Sequence, residues 1–198
     1  GAGANVNQHE DDPKQPKPSG QWHPEEWQAE VHEAAWAAIK ARPFVWGSFV
    51  WNMFDFTSYY RREGAVEGVN DKGLVTADRK IKKDAFFFYK ANWSDEPTLH
   101  INDTRFAVRG KDHLTIKVYS NAPELWLWVN GTALPSQTSE GFGIFQFANV
   151  PLNPGPNHIL VATAPNSIHY RQEDECTFTY TPGAPAEVDV AQDATMAA

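Results

Sequence analysis

The chain has 198 residues, enough for one large domain or two small ones, with a formal net charge of −8 and 13% aromatic residues. The negative charge argues against nucleic acid or an anionic membrane as the main partner, and no apolar run approaches the roughly 20 residues that span a bilayer. The lone cysteine, Cys176, rules out an internal disulfide, and the seven histidines show no metal-ligand spacing, so we expect neither a metal nor a cofactor.

The first predicted regular element is a helix. Residues 1–23, which begin GAGANVNQHEDDPK, are rich in Gly, Pro, Asn and Asp and predict a loop. The next segment, HPEEWQAEVHEAAWAAIKAR, predicts a helix because Pro24 suits the first helical position and the following glutamates suit the positive end of the dipole. Apolar residues at helical spacing form one stripe on it, with Trp36 on the far side: Trp27, Val31, Ala34, Ala35, Ala38 and Ile39.

A strand and a second helix follow. In FVWGSFVWNMFDF, residues 44–56, both alternating faces are mostly apolar, which predicts a strand covered on both sides. A helix followed by such a strand is half of an α/β unit. The segment TSYYRREGAVEGVNDKG predicts a long polar loop, and KKDAFFFYKANW predicts a short helix.

From Pro97 the pattern becomes that of an antiparallel β-sandwich. Short apolar runs recur at near-regular spacing between turn residues: TLHI, RFAVR, LTIKVYS, ELWLWV, GIFQFANV, HILVATA and CTFTYT. Asn130-Gly131 is a strong hairpin signal. Within ELWLWV, the leucines share one face and Trp126 and Trp128 share the other. If the leucines face the core, the two tryptophans point outward.

The segments RPFVWGSFVWNMFDF and GVNDKGLVTADRKIKKDAFFFYKANW strongly resemble glycoside hydrolase family 2, the β-galactosidases and β-glucuronidases. IKVYSNAPELWLWVNG resembles the immunoglobulin-like domain that follows the barrel in one bacterial branch of that family. The resemblance implies a truncated TIM barrel over residues 1–95 and an immunoglobulin-like sandwich over 96–182. The composition of GAPAEVDVAQDATMAA predicts a disordered tail over residues 183–198. The compartment stays unknown, since bacterial cytoplasm and periplasm both suit such a protein.

The resemblance also implies retaining hydrolysis by two glutamates, one a nucleophile and the other an acid and then a base. The family's acid/base lies on a barrel strand that this sequence does not contain. The nucleophile would lie two positions before Gly1. Terminal β-galactosides are the expected substrates. The NDKG motif is also compatible with β-glucuronides, because an Asn-x-Lys pattern holds the uronate carboxylate in β-glucuronidases.

Sugar-binding residues can be carried over from the family one by one. Trp51 matches a tryptophan that forms a hydrophobic wall for the sugar, and Asn70 and Lys72 match a loop whose side chains reach it. Trp46 and His9 are further candidates for substrate contact. For His9, a contact within the loop is the alternative.

Replacement carboxylates are needed if the chain is catalytic. Asp55, Glu63 and Glu10 are the candidates, because Asp55 ends an apolar segment and the two glutamates lie in neighbouring loops. The alternative is that Asp55 anchors a loop and that Glu63 pairs with neighbouring arginines.

A barrel fragment cannot close on itself and would expose sheet edges and apolar faces. We therefore expect a homo-oligomer, with Trp36, Trp126 and Trp128 as candidate interface residues and an active site assembled between subunits. Two other hypotheses stay open: a non-catalytic carbohydrate-binding or assembly module, and an inert fragment of a full-length hydrolase.

Overall fold

The computed structural model describes residues 2–9, 23–61, 67–164 and 171–183. The chain divides into two compact units, and the boundary follows Phe86. Most of the predicted N-terminal loop and residues 184–198 of the predicted tail lie outside the described residues. Neither of the helices in the described part of the chain is long and apolar enough to cross a membrane.

The first predicted helix forms as α1, Glu25–Lys40. Its predicted apolar stripe does not supply the buried side, since Trp27 is 51% exposed. The buried residues of α1 are mostly polar: Glu25, Gln28, Ala29 and His32. Two of these side chains hydrogen-bond to other parts of the unit, which explains why the polar face is inside; the Glu25 carboxylate, for example, accepts a hydrogen bond of 2.6 Å from the Asp84 amide.

The prediction of a doubly covered strand over residues 44–56 is wrong. Trp46 and Phe49 are 98% and 101% exposed, and only Phe56 enters a strand. From residue 52 to 55 the main chain bonds to residues 72–75; Val75, for instance, donates to the Met53 carbonyl at 3.0 Å. Apolar residues on both faces indicate a strand only where neighbours cover it. The described part of the first unit supplies a neighbour along this short stretch alone.

Two short strands complete the first unit's described part. Strand β1, Phe56–Thr57, pairs antiparallel with β2, Val69–Asn70, so that Phe56 lies opposite Asn70. The second helix, α2, spans Asp84–Trp93 and confirms the predicted short helix, with the unit boundary inside it.

The second unit is the predicted sandwich. Its strands are β3 Leu99–Ile101, β4 Val108–Arg109, β5 His113–Ser120, β6 Glu124–Val129, β7 Thr132–Ala133, β8 Gln137–Thr138, β9 Ile144–Pro151, β10 Gly155–Ala162 and β11 Glu173–Tyr180. Among the described residues, one sheet has the order β4-β11-β10-β6-β7, with β8 on β6, and the other has the order β3-β5-β9. Their inward side chains share one core, which includes Ile101, Val118, Phe145, Ile159 and Phe178.

Strand β6 confirms the predicted alternation. Leu125 and Leu127 are fully buried in the core, whereas Trp126 and Trp128 are partly exposed on the other face. The hairpin predicted from Asn130-Gly131 joins β6 to β7, and both turn residues have positive φ, 51° and 82°. This is the backbone that an Asn-Gly hairpin turn requires.

Candidate functional site

The NDKG loop lies at the end of β2 in the first unit. Asn70 is 4% exposed, and its side-chain oxygen accepts a hydrogen bond of 3.1 Å from the Lys72 amide. This local bond is typical of Asn in turns and folds the loop back on itself. Lys72 is partly exposed. The loop therefore carries a partly exposed lysine, Lys72, next to the Asn70 side chain, which hydrogen-bonds to the loop's own main chain.

Trp51 adjoins this loop. The ring is 59% exposed and packs edge-on against Phe56, with 6.1 Å between ring centroids. The main-chain N–H of the next residue, Asn52, donates to the Lys72 carbonyl at 3.2 Å, and the Asn52 carbonyl accepts from the Leu74 N–H at 3.0 Å. The structure thus joins the main chain next to Trp51 to the loop that carries Asn70 and Lys72.

Other predicted site residues lie elsewhere or outside the described residues. Trp46 is 98% exposed, five positions before Trp51. His9 is 7% exposed, and its Nε2 contacts the Glu26 carboxylate on α1, which fits the loop-contact alternative. Glu10 and Glu63 lie outside the described residues.

Asp55 is held by a buried lysine. It is 8% exposed, and its Oδ1 accepts hydrogen bonds of 2.9 Å from Lys83 Nζ and 2.8 Å from the Gly73 amide. Burial raises the pKa of Asp55 above its ordinary 3.8, and this outweighs the opposing effect of the Lys83 charge. The contacts favour the loop-anchoring alternative, because they commit one carboxylate oxygen to two donors.

Lys83 and Gln28 join the loop to the N-terminal segment. Lys83 is fully buried, and besides Asp55 its Nζ donates to the carbonyls of Ala4 at 2.8 Å and Asp71 at 2.9 Å. Burial lowers the pKa of Lys83 below 10.5, against the attraction of Asp55, yet three acceptors match the three donors of an ammonium group. Gln28, also fully buried, donates through Nε2 to Ala2 and Gly73 carbonyls at 2.9 and 3.2 Å.

His23 and Asp71 form a second polar contact at the loop. His23 Nδ1 lies 2.8 Å from Asp71 Oδ2. Burial acts to raise the pKa of Asp71, but the His23 hydrogen bond and the charges of His23 and Lys83 prevail and hold that pKa below 3.8. This carboxylate is therefore ionised at neutral pH and helps to fix the loop.

Sequence reasoning missed Lys83, Gln28 and His23. Lys83 lies in the run KIKKD, which has the composition of a solvated charged segment. One signal was available on α1: Glu25, Gln28 and His32 recur at helical spacing, just as an apolar stripe would. That polar stripe predicts a helix face that hydrogen-bonds to other segments.

Two predicted interface residues, Trp36 and Trp128, have ring contacts with side chains of the same unit. Trp36 on α1 is partly exposed, with Lys40 Nζ 5.6 Å from its ring centroid. In the second unit, Arg171 lies over the Trp128 ring at 5.3 Å, and Trp126 is partly exposed. The Trp128 ring is therefore covered in part by a side chain of its own unit.

Comparison with known proteins finds relatives among the β-glucuronidases and β-galactosidases. A β-glucuronidase from Bacteroides fragilis is 48% identical over 164 residues, which are 82% of this chain and 24% of that protein. A β-galactosidase from Bacteroides ovatus is 22% identical over 163 residues, 82% of this chain and 18% of that protein. An FMN-binding β-glucuronidase from Faecalibacterium prausnitzii L2-6 matches in structure with a TM-score of 0.77 and 36% identity, over 91% of this chain and 26% of that one.

No protein-family model matches the sequence. The chain spans about a quarter or less of the length of these relatives.

Proposed function

We propose, because this chain is homologous to part of the β-glucuronidases and β-galactosidases of glycoside hydrolase family 2, that its first unit forms the sugar-binding side of a β-glycoside hydrolase site. Residues 1–95 would be the end of the family's barrel and residues 96–182 the immunoglobulin-like domain that follows it. The division into two units and the strand order of the second are consistent with this assignment.

The observation that carries the proposal is the hydrogen bond from the Asn52 amide to the Lys72 carbonyl. It joins the main chain that follows the exposed Trp51 to the loop that bears Asn70 and Lys72, which supports a shared site for the three residues. Aromatic rings bind the apolar faces of sugars, and amide and ammonium groups bind their polar edges. This combination supports a role in binding sugar.

We favour a β-glucuronide as the sugar. A uronate carries a carboxylate, and the partly exposed Lys72 ammonium is the group to pair with it. The relative with 48% identity is a β-glucuronidase, which adds support. The terminal β-galactosides expected from the sequence are the second candidate, supported by the B. ovatus β-galactosidase.

Catalysis would need two carboxyl groups about 5–5.5 Å apart for a retaining mechanism. Asp55 is tied to Lys83 and Gly73, so we assign it a positioning role. Glu10 and Glu63 are the proposed surrogate carboxylates. We further propose that the pair of reacting carboxylates is assembled between the subunits of a homo-oligomer. The exposed Trp46 and Phe49 side chains would lie at the contact between subunits. Trp36, Trp126 and Trp128 are proposed as further contact residues.

The test is a binding and turnover assay on the purified chain. Methyl β-D-glucuronide and methyl β-D-galactoside are titrated while the Trp51 indole resonance is followed by NMR, and nitrophenyl glycosides of both sugars report hydrolysis. We expect glucuronide binding that Lys72→Met weakens at least tenfold, whereas Lys80→Met, an exposed lysine of the same unit, leaves it unchanged.

Each result decides between the hypotheses. Binding with turnover supports the enzyme, and binding without turnover supports the non-catalytic module. A chain that binds neither glycoside is an inert fragment, and the proposed function is then wrong. If galactoside binds more tightly than glucuronide, the assignment of the sugar is wrong.

A further inference from the structure

Lys83 lies at a junction of three segments that are distant in sequence. Its ammonium group bonds the N-terminal segment at the Ala4 carbonyl, the segment after Trp51 at the Asp55 carboxylate, and the NDKG loop at the Asp71 carbonyl. The main chain of Lys83 is also fixed, since its amide donates to the Leu74 carbonyl at 2.9 Å.

Burying a lysine completely is costly unless its charge is paired and its donors are used. Here all three donors of the ammonium group have an acceptor within 2.9 Å. An apolar side chain of similar length could fill the same volume. It could not fix the directions of three carbonyl and carboxylate groups. The three hydrogen bonds therefore indicate that Lys83 serves to orient the groups around it and not merely to fill the volume.

The Asp71 carbonyl receives two of the bonds that meet here. It accepts from Lys83 Nζ at 2.9 Å and from the Ala4 amide at 3.0 Å. Asp71 stands between Asn70 and Lys72, so the orientation of its peptide group sets the directions in which both side chains leave the loop.

We propose that Lys83 is a positioning residue for sugar binding, which holds the Asp71 peptide so that Asn70 and Lys72 face the ligand. Lys83 does not touch the sugar. The proposal rests on the proposed function for its ligand, but the hold on the loop can be measured without any ligand.

The test uses the double variant Lys83→Met/Asp55→Asn. Removing both charges avoids leaving one of them buried and unpaired, and both replacements are close in volume to the original residues. The control is Ala85→Gly, which weakens α2 next to Lys83 at a fully buried position without removing a polar contact. A second variant, Lys83→Gln with Asp55→Asn, keeps two N–H donors at position 83 and serves if the methionine variant does not fold.

The first measurement is amide hydrogen exchange by NMR. We expect at least tenfold faster exchange at Ala4 and Lys72 in the double variant, with amides in the middle of α1 unchanged. Ala85→Gly should leave the exchange of Ala4 and Lys72 within threefold of wild type. Unchanged exchange in the double variant, or equal acceleration in Ala85→Gly, would overturn the proposal.

The second measurement is titration with methyl β-D-glucuronide. We expect the double variant to bind at least fivefold more weakly than wild type. If Lys72→Met weakens binding but the double variant does not, the positioning role is wrong and the proposed function stands. If wild type binds neither methyl β-D-glucuronide nor methyl β-D-galactoside, the proposed function is wrong. If it binds but Lys72→Met has no effect, the role assigned to Lys72 is wrong. In both cases hydrogen exchange alone decides the role of Lys83.

Discussion

His23 and Asp71, 48 positions apart in the sequence, are joined by a contact of 2.8 Å between imidazole Nδ1 and carboxylate Oδ2. Gly3 lies against this pair, because a Cβ atom at that position would come within 2.5 Å of both side chains. The contact therefore ties His23, two positions before α1, to the NDKG loop, and a side chain larger than that of glycine at position 3 would collide with it.

We predict that Asp71→Asn lowers the free energy of unfolding by about 1–3 kcal/mol at neutral pH, since it removes a charged acceptor from a buried contact. The folded-state pKa of Asp71 lies below 3.8, so its stabilising effect is present above pH 3.8 and is lost as the pH falls through the folded value. The difference between wild type and variant in urea unfolding should shrink below pH 3.8. A difference that stays constant down to the lowest accessible pH would contradict this.

We predict that Gly73→Ala destabilises the first unit by about 2–3 kcal/mol or more. A Cβ atom at Gly73 would lie 2.1 Å from the Asp55 amide nitrogen and 2.4 Å from the Phe54 carbonyl carbon, both of them main-chain atoms. Gly47→Ala is the matched control, because nothing lies within 4 Å of its Cβ position, and it should change stability by less than about 0.5 kcal/mol. Urea unfolding monitored at resonances of the first unit gives both values; equal values for the two variants would refute the prediction.

His32 should make the stability of the first unit depend on pH. Burial lowers the pKa of His32 from 6.5 to about 4. The unfolded state then binds more protons between these values, so stability is full above pH 6.5 and falls as the pH drops towards 4, by at most about 3 kcal/mol. His32→Gln should flatten this dependence, and the exposed His113→Gln should not. A His32 ring that titrates near pH 6.5 by NMR would show the prediction to be wrong.

Self-association should depend on the exposed aromatic segment. Replacing Trp46 and Phe49 by serine removes two almost fully exposed apolar side chains, each of which favours burial by about 1.5–3 kcal/mol. We expect the double variant to have at least a tenfold larger fraction of monomer than wild type at micromolar concentration, measured by analytical ultracentrifugation. Phe142→Ser, on the second unit, is the control and should leave the distribution unchanged. Monomeric wild type would contradict the proposed homo-oligomer.

The sandwich could be predicted from sequence because its signals are local. A period of two, with turn residues between the runs, gives the strands, and the alternation in ELWLWV gives the buried face of β6. The Asn-Gly dipeptide likewise gives the hairpin, since it can adopt the positive φ that the turn needs.

The first unit was harder to predict because its burial is decided by distant segments. The apolar pattern of residues 44–56 indicates that both faces favour burial, but it does not identify the segments that would bury them. On α1 the buried face is polar, since Gln28 and Glu25 meet backbone groups whose positions depend on the tertiary fold. The family resemblance indicated Trp51, Asn70 and Lys72. No local pattern distinguishes Lys83, which is fully buried, from the more exposed Lys82 beside it.

The manner in which Gln28 and Lys83 hold the loop has a consequence for how the sequence can vary. Of the five hydrogen bonds that these side chains donate within the described residues, four end on main-chain carbonyl oxygens. Every residue type carries such an oxygen, so the recipients are interchangeable as far as these bonds are concerned. A substitution at Ala2 can therefore keep its hydrogen bond from Gln28, whereas a substitution of Gln28 or Lys83 removes the donor itself. Side chains around these carbonyl groups can therefore change while the hydrogen bonds that Gln28 and Lys83 donate stay the same.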